Sequence, residues 1–247
     1  MIVVRALGVG VALFLIWQAV VFVFAPPAYL LPPPLAVFAA LRDRPDLWRV
    51  DAVTTLIETV VGLAIGTAVG VALALLMSFV PLTRRVLLPT MIVSQAIPVF
   101  AIAPILALWF GFGVTSKVVM ATIAIFFPVA SAFADGLTRA DPGLIDLARL
   151  YGAKRRQEVA VIRIPGALPG LITGVRLAAV YAPVGALIGE WVGSTSGLGY
   201  AMLFANARSE TAVVFAALIL IVAMSVLLRA AVDLVTANLA PWAPEIR

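Results

Sequence analysis

Long apolar stretches separated by shorter polar segments make up most of the chain. A helix that crosses a bilayer needs about 20 mostly apolar residues. Six stretches approach or reach that length, at residues 7–24, 54–80, 87–110, 116–136, 171–192 and 213–235. The pattern predicts an all-α integral membrane protein with six transmembrane helices in a single domain that covers residues 1–247.

The segments between the first and second apolar stretches are predicted to lie outside the membrane. Residues 25–34 contain five prolines, which cannot continue a helix. Residues 35–51 carry the mixed apolar and charged pattern of a short helix on the outer surface. Because Pro26, Pro27 and Tyr29 stand where a signal peptidase needs small residues, we expect the first stretch to be retained as a membrane helix.

The longest polar segment, residues 138–170, is predicted to form two short helices that are broken at Gly152. Asp141 is suited to cap the first of these helices, and Pro142 is suited to its first position. Loops of this length in compact proteins usually have a function.

Composition supports a membrane protein and excludes several classes of enzyme. Hydrophobic residues make up 64% of the chain and charged residues 12%, whereas soluble domains have about half and about a quarter. The sequence contains no Cys and no His, which excludes thiolate and imidazole metal sites and Ser-His-Asp catalysis. Its two lysines stand in no phosphate-binding P-loop. We therefore expect no catalytic residue, metal site or cofactor in this chain, and uphill transport needs a partner or an ion gradient.

The distribution of basic residues predicts the orientation. With the N-terminus in the cytoplasm, twelve of the 17 Lys and Arg residues fall in cytoplasmic segments or helix ends, and five fall outside. The positive-inside rule then predicts an even number of spans with both termini in the cytoplasm. The same asymmetry explains the net charge of +5 without nucleic acid as a partner.

The segment 138–170 carries the most specific motif in the sequence. Residues 146–152 read D-L-A-R-L-Y-G, nine residues follow, and residues 162–165 read I-R-I-P. This resembles the EAA loop of permease subunits from binding-protein-dependent ABC importers, whose pattern is E-A-A, three residues, Gly, nine residues and I-x-L-P. Asp146 keeps a carboxylate where the family has Glu, and Leu147 and Ile164 replace other apolar residues. In that family the loop forms the coupling helix that docks in a cleft of the ATPase subunit.

The residues of this loop suit a docking role. A short helix that exposes Leu147, Leu150 and Tyr151 presents an apolar ridge to a groove. Gly152 can adopt the positive φ that redirects the chain, and Pro165 is expected to end the second short helix before the fifth span begins. The predicted coupling residues are Asp146, Leu147, Ala148, Leu150, Tyr151, Gly152, Ile162, Ile164 and Pro165.

A second resemblance lies in the third apolar stretch. It is similar to a segment of the permeases that import sulfonates, taurine, nitrate and pyrimidines, through Ile97-Pro98, Ala101, Pro104-Ile105 and W-F-G-F-G at 109–113. The resemblance implies a methionine-importer-like fold, a homodimer with one ATPase subunit on each copy, and a location in the bacterial inner membrane. It also implies that an external binding protein delivers the solute and that the ATPase subunit binds the ATP. Two prolines in one span indicate either a structural kink or a helix that lines the pathway.

Several polar residues lie inside the predicted spans. They can contact a passing solute, or they can hydrogen-bond between helices, which is the commoner fate. Glu190 precedes a Gly-rich turn near the outer mouth, where it can act as a gate or stabilise the structure, and the role of Glu58 is open. The candidate pathway residues are Ser94, Gln95, Pro98, Ser131, Tyr181 and Glu190.

Two spacings predict contacts within the bundle. Gly62, Gly66 and Gly70 recur at every fourth position, which allows close approach of a second helix backbone. Arg229 and Asp233 are four residues apart and can form an ion pair on one face of the sixth span.

The sequence indicates the substrate less clearly than it indicates the fold. Residues 181–191, 197–200 and 205–208 are similar to permeases for hydroxymethylpyrimidine and other thiamine precursors. Glu58 stands where sulfonate permeases commonly carry Arg, and a neutral or weakly basic pyrimidine needs no cation near its entrance. The expected substrate is therefore a thiamine precursor of the hydroxymethylpyrimidine type, with sulfonates, taurine or nitrate as the alternative.

An ion-driven secondary transporter is the alternative from another class. Such a transporter is expected to contain inverted repeats and carboxylates at span centres. The sequence contains no clear repeat and no carboxylate near the centre of a predicted span. Copurification with an ATPase distinguishes the two classes.

Overall fold

The computed structural model describes residues 2–243, without the side chains of residues 2–7 and 9. This part of the chain consists of helices and connections with no strand, which confirms the all-α prediction. The helices are α1 (Ile2–Phe24), α2 (Pro34–Asp43), α3 (Ala52–Phe79), α4 (Pro81–Ala96), α5 (Val99–Phe110), α6 (Val114–Thr138), α7 (Pro142–Leu150), α8 (Arg155–Gln157), α9 (Ile164–Trp191), α10 (Leu198–Ala207) and α11 (Thr211–Thr236). Two π-helical turns, Leu47–Asp51 and Glu158–Arg163, lead into α3 and α9.

Four helical segments are long and apolar enough to cross a membrane. In hydrocarbon every backbone polar group must be bonded within its own segment, which a continuous apolar helix achieves. They correspond to the spans predicted at 54–80, 116–136, 171–192 and 213–235, and the structure bounds them at Leu47–Phe79, Val114–Thr138, Arg155–Trp191 and Thr211–Thr236. The bent pair α4 and α5 makes a fifth if it is counted as one span. α1 has 23 residues, of which Gly10–Phe24 forms an apolar helix within the residues searched. The count of six spans therefore stays a prediction.

The stretch predicted as a span at 87–110 is broken in the structure, as its two prolines indicated. The axes of α4 and α5 are bent by 98° at the break between them. Ile97 and Pro98 both have extended backbone angles there, because the proline ring disfavours helical geometry at the residue before it. The chain therefore turns sharply at Pro98.

α6 packs closely against both α3 and α9 because glycines remove side chains from the contacts. A Cβ added at Gly62 would lie 2.5 Å from Ala121 Cβ, and one at Gly66 would lie 2.6 Å from Ile125 Cγ1. From α9, a Cβ at Gly185 would lie 2.8 Å from Ala121 Cα. The predicted glycine spacing is therefore confirmed as a helix-packing motif.

α2 and α10 pack against α11 at one end of the bundle. Val37 of α2 and Leu47 of the first π-helical turn are buried in one cluster with Leu198 of α10 and Ala216 of α11. The helix predicted over residues 35–51 is thus two pieces, and it packs on protein as well as facing outward.

Candidate functional site

The predicted coupling loop contains one well-defined helix, α7, which starts as the sequence predicts. The Asp141 side chain accepts a hydrogen bond from the backbone N–H of Gly143 at 2.7 Å, and Pro142 takes the first position. Both features are favoured at helix N-termini, since the cap satisfies an otherwise unpaired N–H and proline has none to lose.

α7 ends in a Schellman motif. The N–H of Gly152 bonds to the carbonyl of Arg149 at 2.9 Å, and the N–H of Ala153 bonds to the carbonyl of Ala148 at 2.9 Å. Gly152 has φ +79°, which confirms the predicted positive φ. A residue with a Cβ is strained in this conformation, so Gly152 fixes where the chain leaves α7.

One face of α7 is an exposed apolar ridge formed by Leu147, Leu150 and Tyr151. Leu150 and Tyr151 are each 85% exposed and Leu147 is 51% exposed, whereas Ile145 points inward and is 7% exposed. Exposed apolar patches of this kind mark sites of interaction. The ridge adjoins a shallow groove lined by Ala148, Tyr151, Gly152, Ala153, Gln157, Val161 and Ile162.

Arg149 fixes α7 to the second π-helical turn. Its Nε and Nη2 donate to Oε1 and Oε2 of Glu158 at 2.9 Å and 3.3 Å, a bidentate ion pair. Glu158 is buried, with 4% of the residue exposed. The hydrogen bond to its carboxylate raises the pKa of Arg149 above its usual value. Because a helix of nine residues is not stable alone, this pair helps to hold the ridge in place.

Two further arginines join the loop to the membrane helices. Arg155 donates to the backbone carbonyl of Ser78 in α3 at 2.7 Å. Arg163 donates to the carbonyl of Leu137 in α6 at 3.0 Å. These two bonds attach the segment after α7 to α3 and α6.

The second motif supplies three predicted coupling residues, of which only one lies beside the ridge. Ile162 lines the groove beside it, whereas Ile164 packs against the buried cluster at the ends of α3 and α6. The expectation that Pro165 ends a helix is wrong, because Pro165 lies in the first turn of α9. A proline in the first turn costs no helical hydrogen bond.

The structure brings three of the predicted pathway residues together at the break between α4 and α5. Gln95 and Pro98 are exposed there, and Ser94 donates to the carbonyl of Met91 at 2.7 Å within its own helix. Tyr181 of α9 is 52% exposed, and Ser131 of α6 is half-buried. No hydrogen bond within residues 2–243 joins Ser131 or Tyr181 to the other three.

Glu190, the sixth predicted pathway residue, is buried at 1% exposure. Its Oε1 accepts a hydrogen bond from Thr55 Oγ1 at 2.6 Å, and its Oε2 accepts one from the backbone N–H of Gly199 at 2.5 Å. The Thr55 hydroxyl oxygen accepts from the N–H of Leu198 at 2.8 Å. These bonds attach the turn before α10 to α3 and α9, which supports the stabilising alternative for Glu190.

The turn and the start of α10 can approach Glu190 only because Gly197 and Gly199 carry no side chain. Gly197 has φ +109°, and a Cβ added there would overlap the Glu190 carboxylate. A Cβ at Gly199 would lie 2.9 Å from Glu190 Oε2. The N–H of Gly197 also donates to Asp51 Oδ1 at 2.9 Å.

Sequence reasoning missed Lys117 as a member of this buried cluster. Lys117 and Glu58 are each 2% exposed, and both lie near enough to Glu190 for the three charges to interact. The Lys117 ammonium also donates to the carbonyl of Phe112. The available signal in the sequence was a lysine in the first turn of an apolar helix. The residues near Lys117 lie on other helices, so the sequence did not identify them.

The predicted pair of Arg229 and Asp233 is confirmed. Arg229 Nε donates to Asp233 Oδ2 at 3.0 Å. Arg176 of α9 approaches the other oxygen of Asp233 at 2.6 Å, so the same carboxylate also joins α9 to α11.

A family profile and several curated proteins resemble this chain over most of its length. The profile described as "Binding-protein-dependent transport system inner membrane component" matches residues 62–243. A probable ABC transporter permease protein of Haemophilus influenzae is 44% identical over 91% of each chain. The formylaminopyrimidine transport permease protein ThiX of Halalkalibacterium halodurans is 33% identical over 93% of this chain and 92% of its own. The riboflavin transport system permease protein RibX of Chloroflexus aurantiacus is 35% identical over 96% and 90%.

A solved structure confirms the predicted type of fold. A chain of the MetNI methionine ABC transporter in an inward-facing conformation matches with a TM-score of 0.67 at 21% identity. The match covers 76% of this chain and 94% of that one.

Proposed function

Because the chain belongs to the family of inner membrane components of binding-protein-dependent transport systems, we propose that it forms the solute pathway of an ABC importer and couples that pathway to a separate ATPase through α7. The observation that carries this proposal is the exposed ridge of Leu147, Leu150 and Tyr151 on a helix with defined ends. An exposed apolar ridge of this kind marks a surface that a partner covers in the assembled complex.

The attachment of the loop supports a mechanical role for α7. A rigid ridge transmits force only if it is fixed to the moving helices, and the bonds of Arg155 to Ser78 and of Arg163 to Leu137 provide that connection. ATP binding would draw two ATPase subunits together and move the two ridges with them. The membrane helices would then turn from inward-facing to outward-facing.

A second copy of this chain is proposed to complete the pathway. Gln95 is exposed in the last turn of α4 and lies beside the 98° break at Pro98. An exposed amide is costly in lipid, and a broken backbone at membrane depth is tolerated where protein or a water-filled cavity covers it. A homodimer with this surface at its centre satisfies both conditions. The positive-inside rule supports a cytoplasmic location for both termini.

We propose a hydroxymethylpyrimidine-type thiamine precursor as the substrate. The 33% identity to ThiX, a formylaminopyrimidine transport permease, supports this assignment. The argument from Glu58 does not, because Glu58 is buried beside Lys117 and faces no open entrance. RibX has a comparable identity of 35%, so riboflavin is a specific second candidate.

The test is ATP hydrolysis by this chain reconstituted in liposomes with its ATPase subunit and external binding protein. Hydroxymethylpyrimidine, formylaminopyrimidine, riboflavin and taurine are supplied separately. Stimulation by the two pyrimidines alone supports the proposed substrate. Stimulation by riboflavin or taurine alone keeps the permease role and rejects the pyrimidine. Failure of the chain to copurify with an ATPase rejects the permease role itself.

A further inference from the structure

A small arginine-lined crevice lies at the same end of the bundle as α7, between the ends of α3 and α6. Arg84, Arg155 and Arg163 line it, and none of its lining residues is Asp or Glu. The cavity volume is about 110 Å³. Since a water molecule takes up roughly 30 Å³ in the liquid, the crevice has room for a group of the size of one phosphate.

The three guanidinium groups keep most of their hydrogen-bond donors unused. Each guanidinium has five N–H groups, and Arg155 and Arg163 each donate to one backbone carbonyl. The Nε of Arg163 is buried and has no hydrogen-bond partner among residues 2–243. Arg84 forms no ion pair with any acidic side chain in the same range.

The charge of the crevice favours an anion with several oxygens. Arg84 and Arg163 are half-buried and Arg155 is exposed. Glu158, which does not line the crevice, offsets part of the positive charge of Arg155 and Arg163, and a bound anion would relieve the repulsion that remains among the three cations. The planar fork of arginine matches the oxygens of a phosphate group. Basic crevices between membrane helices at the level of the headgroups are sites for anionic lipids.

We propose that this crevice binds a single phosphate group, presented by the headgroup of an anionic phospholipid or free in solution. A phosphate there would contact Arg84 at the start of α4 and Arg155 and Arg163 in the segment that follows α7. That segment also contains Glu158, the anchor of Arg149. Occupancy would therefore stiffen the connection between the ridge and the membrane helices.

The test uses the full chain in nanodiscs with equal amounts of phosphatidylglycerol and phosphatidylcholine, and mass spectrometry of the lipids that stay bound. The wild type should retain phosphatidylglycerol preferentially. Arg84→Gln should lower its retention roughly tenfold, because a charge-assisted hydrogen bond is lost. Arg85→Gln removes the same charge from an exposed neighbour outside the crevice and should retain lipid as the wild type does.

A second arm distinguishes the two sources of phosphate. In nanodiscs of phosphatidylcholine alone, inorganic phosphate should raise the thermal unfolding midpoint of the wild type and of Arg85→Gln, but not of Arg84→Gln, if the site takes phosphate from solution. Should Arg84→Gln fail to fold, Arg84→Lys keeps the charge without the fork and should retain an intermediate amount of lipid.

The proposal is overturned if Arg84→Gln and Arg85→Gln behave alike in both arms, or if the wild type retains both lipids equally. It is also overturned if Arg84→Gln keeps its lipid and instead loses the ATPase subunit, which would assign the crevice to docking.

Discussion

Thr55 and Glu190 are 135 positions apart in the chain, and their side chains meet in a buried hydrogen bond of 2.6 Å. The bond joins the start of α3 to the end of α9. Because the Thr55 oxygen also accepts from the N–H of Leu198, one hydroxyl connects three helices at this end of the bundle. Two residues of modest size thus hold the turn between α9 and α10 in place.

We expect Thr55→Val to destabilise the protein by about 1–3 kcal/mol, because it leaves the Leu198 N–H and a Glu190 oxygen buried without a partner. Thr54→Val is the matched control, since Thr54 is half-buried and donates only to the carbonyl of Val50, one turn earlier in the chain. Thermal unfolding in detergent should show a lower midpoint for Thr55→Val alone. Equal midpoints for the two variants would show that the hydrogen bond contributes nothing to stability.

Gly66→Val should destabilise the packing of α3 on α6. Its Cβ would lie 2.6 Å from Ile125 Cγ1, and overpacking of this kind costs about 1–3 kcal/mol or more. Gly10→Val in α1 is the control, since a Cβ there meets nothing within 4 Å. The yield of folded protein after membrane extraction and its unfolding midpoint should fall for Gly66→Val only; unchanged values would argue against tight packing at this position.

Signals that are local in sequence predicted their elements well. The ends of α7 follow from Asp141 with Pro142 at one end and from Gly152 at the other, since cap and positive-φ preferences act over a few residues. The spacing of Gly62, Gly66 and Gly70 predicted close helix contact, because residues four apart lie on one face of a helix. Long apolar runs located the spans, because lipid requires continuous backbone hydrogen bonding.

The effect of individual prolines could not be predicted from the sequence. Pro104, Pro128 and Pro183 lie inside helices that continue past them, whereas Pro98 separates two helices at 98°. A proline always removes one hydrogen bond, but the packing around it decides whether the helix bends or breaks. Sequence alone does not contain that packing.

The buried cluster of Glu58, Lys117 and Glu190 could not be predicted from the sequence for a related reason. Each residue looked like a charge near the end of its own span. Their burial follows from the packing of α6 between α3 and α9, which brings three separate helices together. Opposite charges in lipid-facing segments are expected to pair, but the sequence does not say which ones meet.

Gly152→Asp should leave the protein in the membrane but weaken its association with the ATPase subunit. The left-handed conformation of Gly152 disfavours a side chain by about 1–2 kcal/mol, and the added charge lies beside the ridge. Gly166→Asp is the control, since Gly166 is exposed, has an ordinary φ and meets nothing within 4 Å. Copurification of the ATPase with each variant measures the effect. Normal copurification and transport by Gly152→Asp would reject α7 as the coupling helix.

Leu150→Ser tests the ridge itself without changing the backbone. Leu150 is 85% exposed, so its replacement should leave the unfolding midpoint within about 0.5 kcal/mol of the wild type, as at most surface positions. Burial of a leucine side chain in a partner's groove contributes about 1.5–3 kcal/mol, so affinity for the ATPase subunit should fall roughly tenfold or more.

Leu30→Ser is the matched control, because Leu30 is 63% exposed in the segment between α1 and α2, away from the coupling loop. Binding of purified ATPase subunit to each variant in nanodiscs gives the affinities. A loss of affinity with unchanged stability, confined to Leu150→Ser, assigns docking to the ridge, whereas equal affinities for the two variants would place the ATPase contact elsewhere.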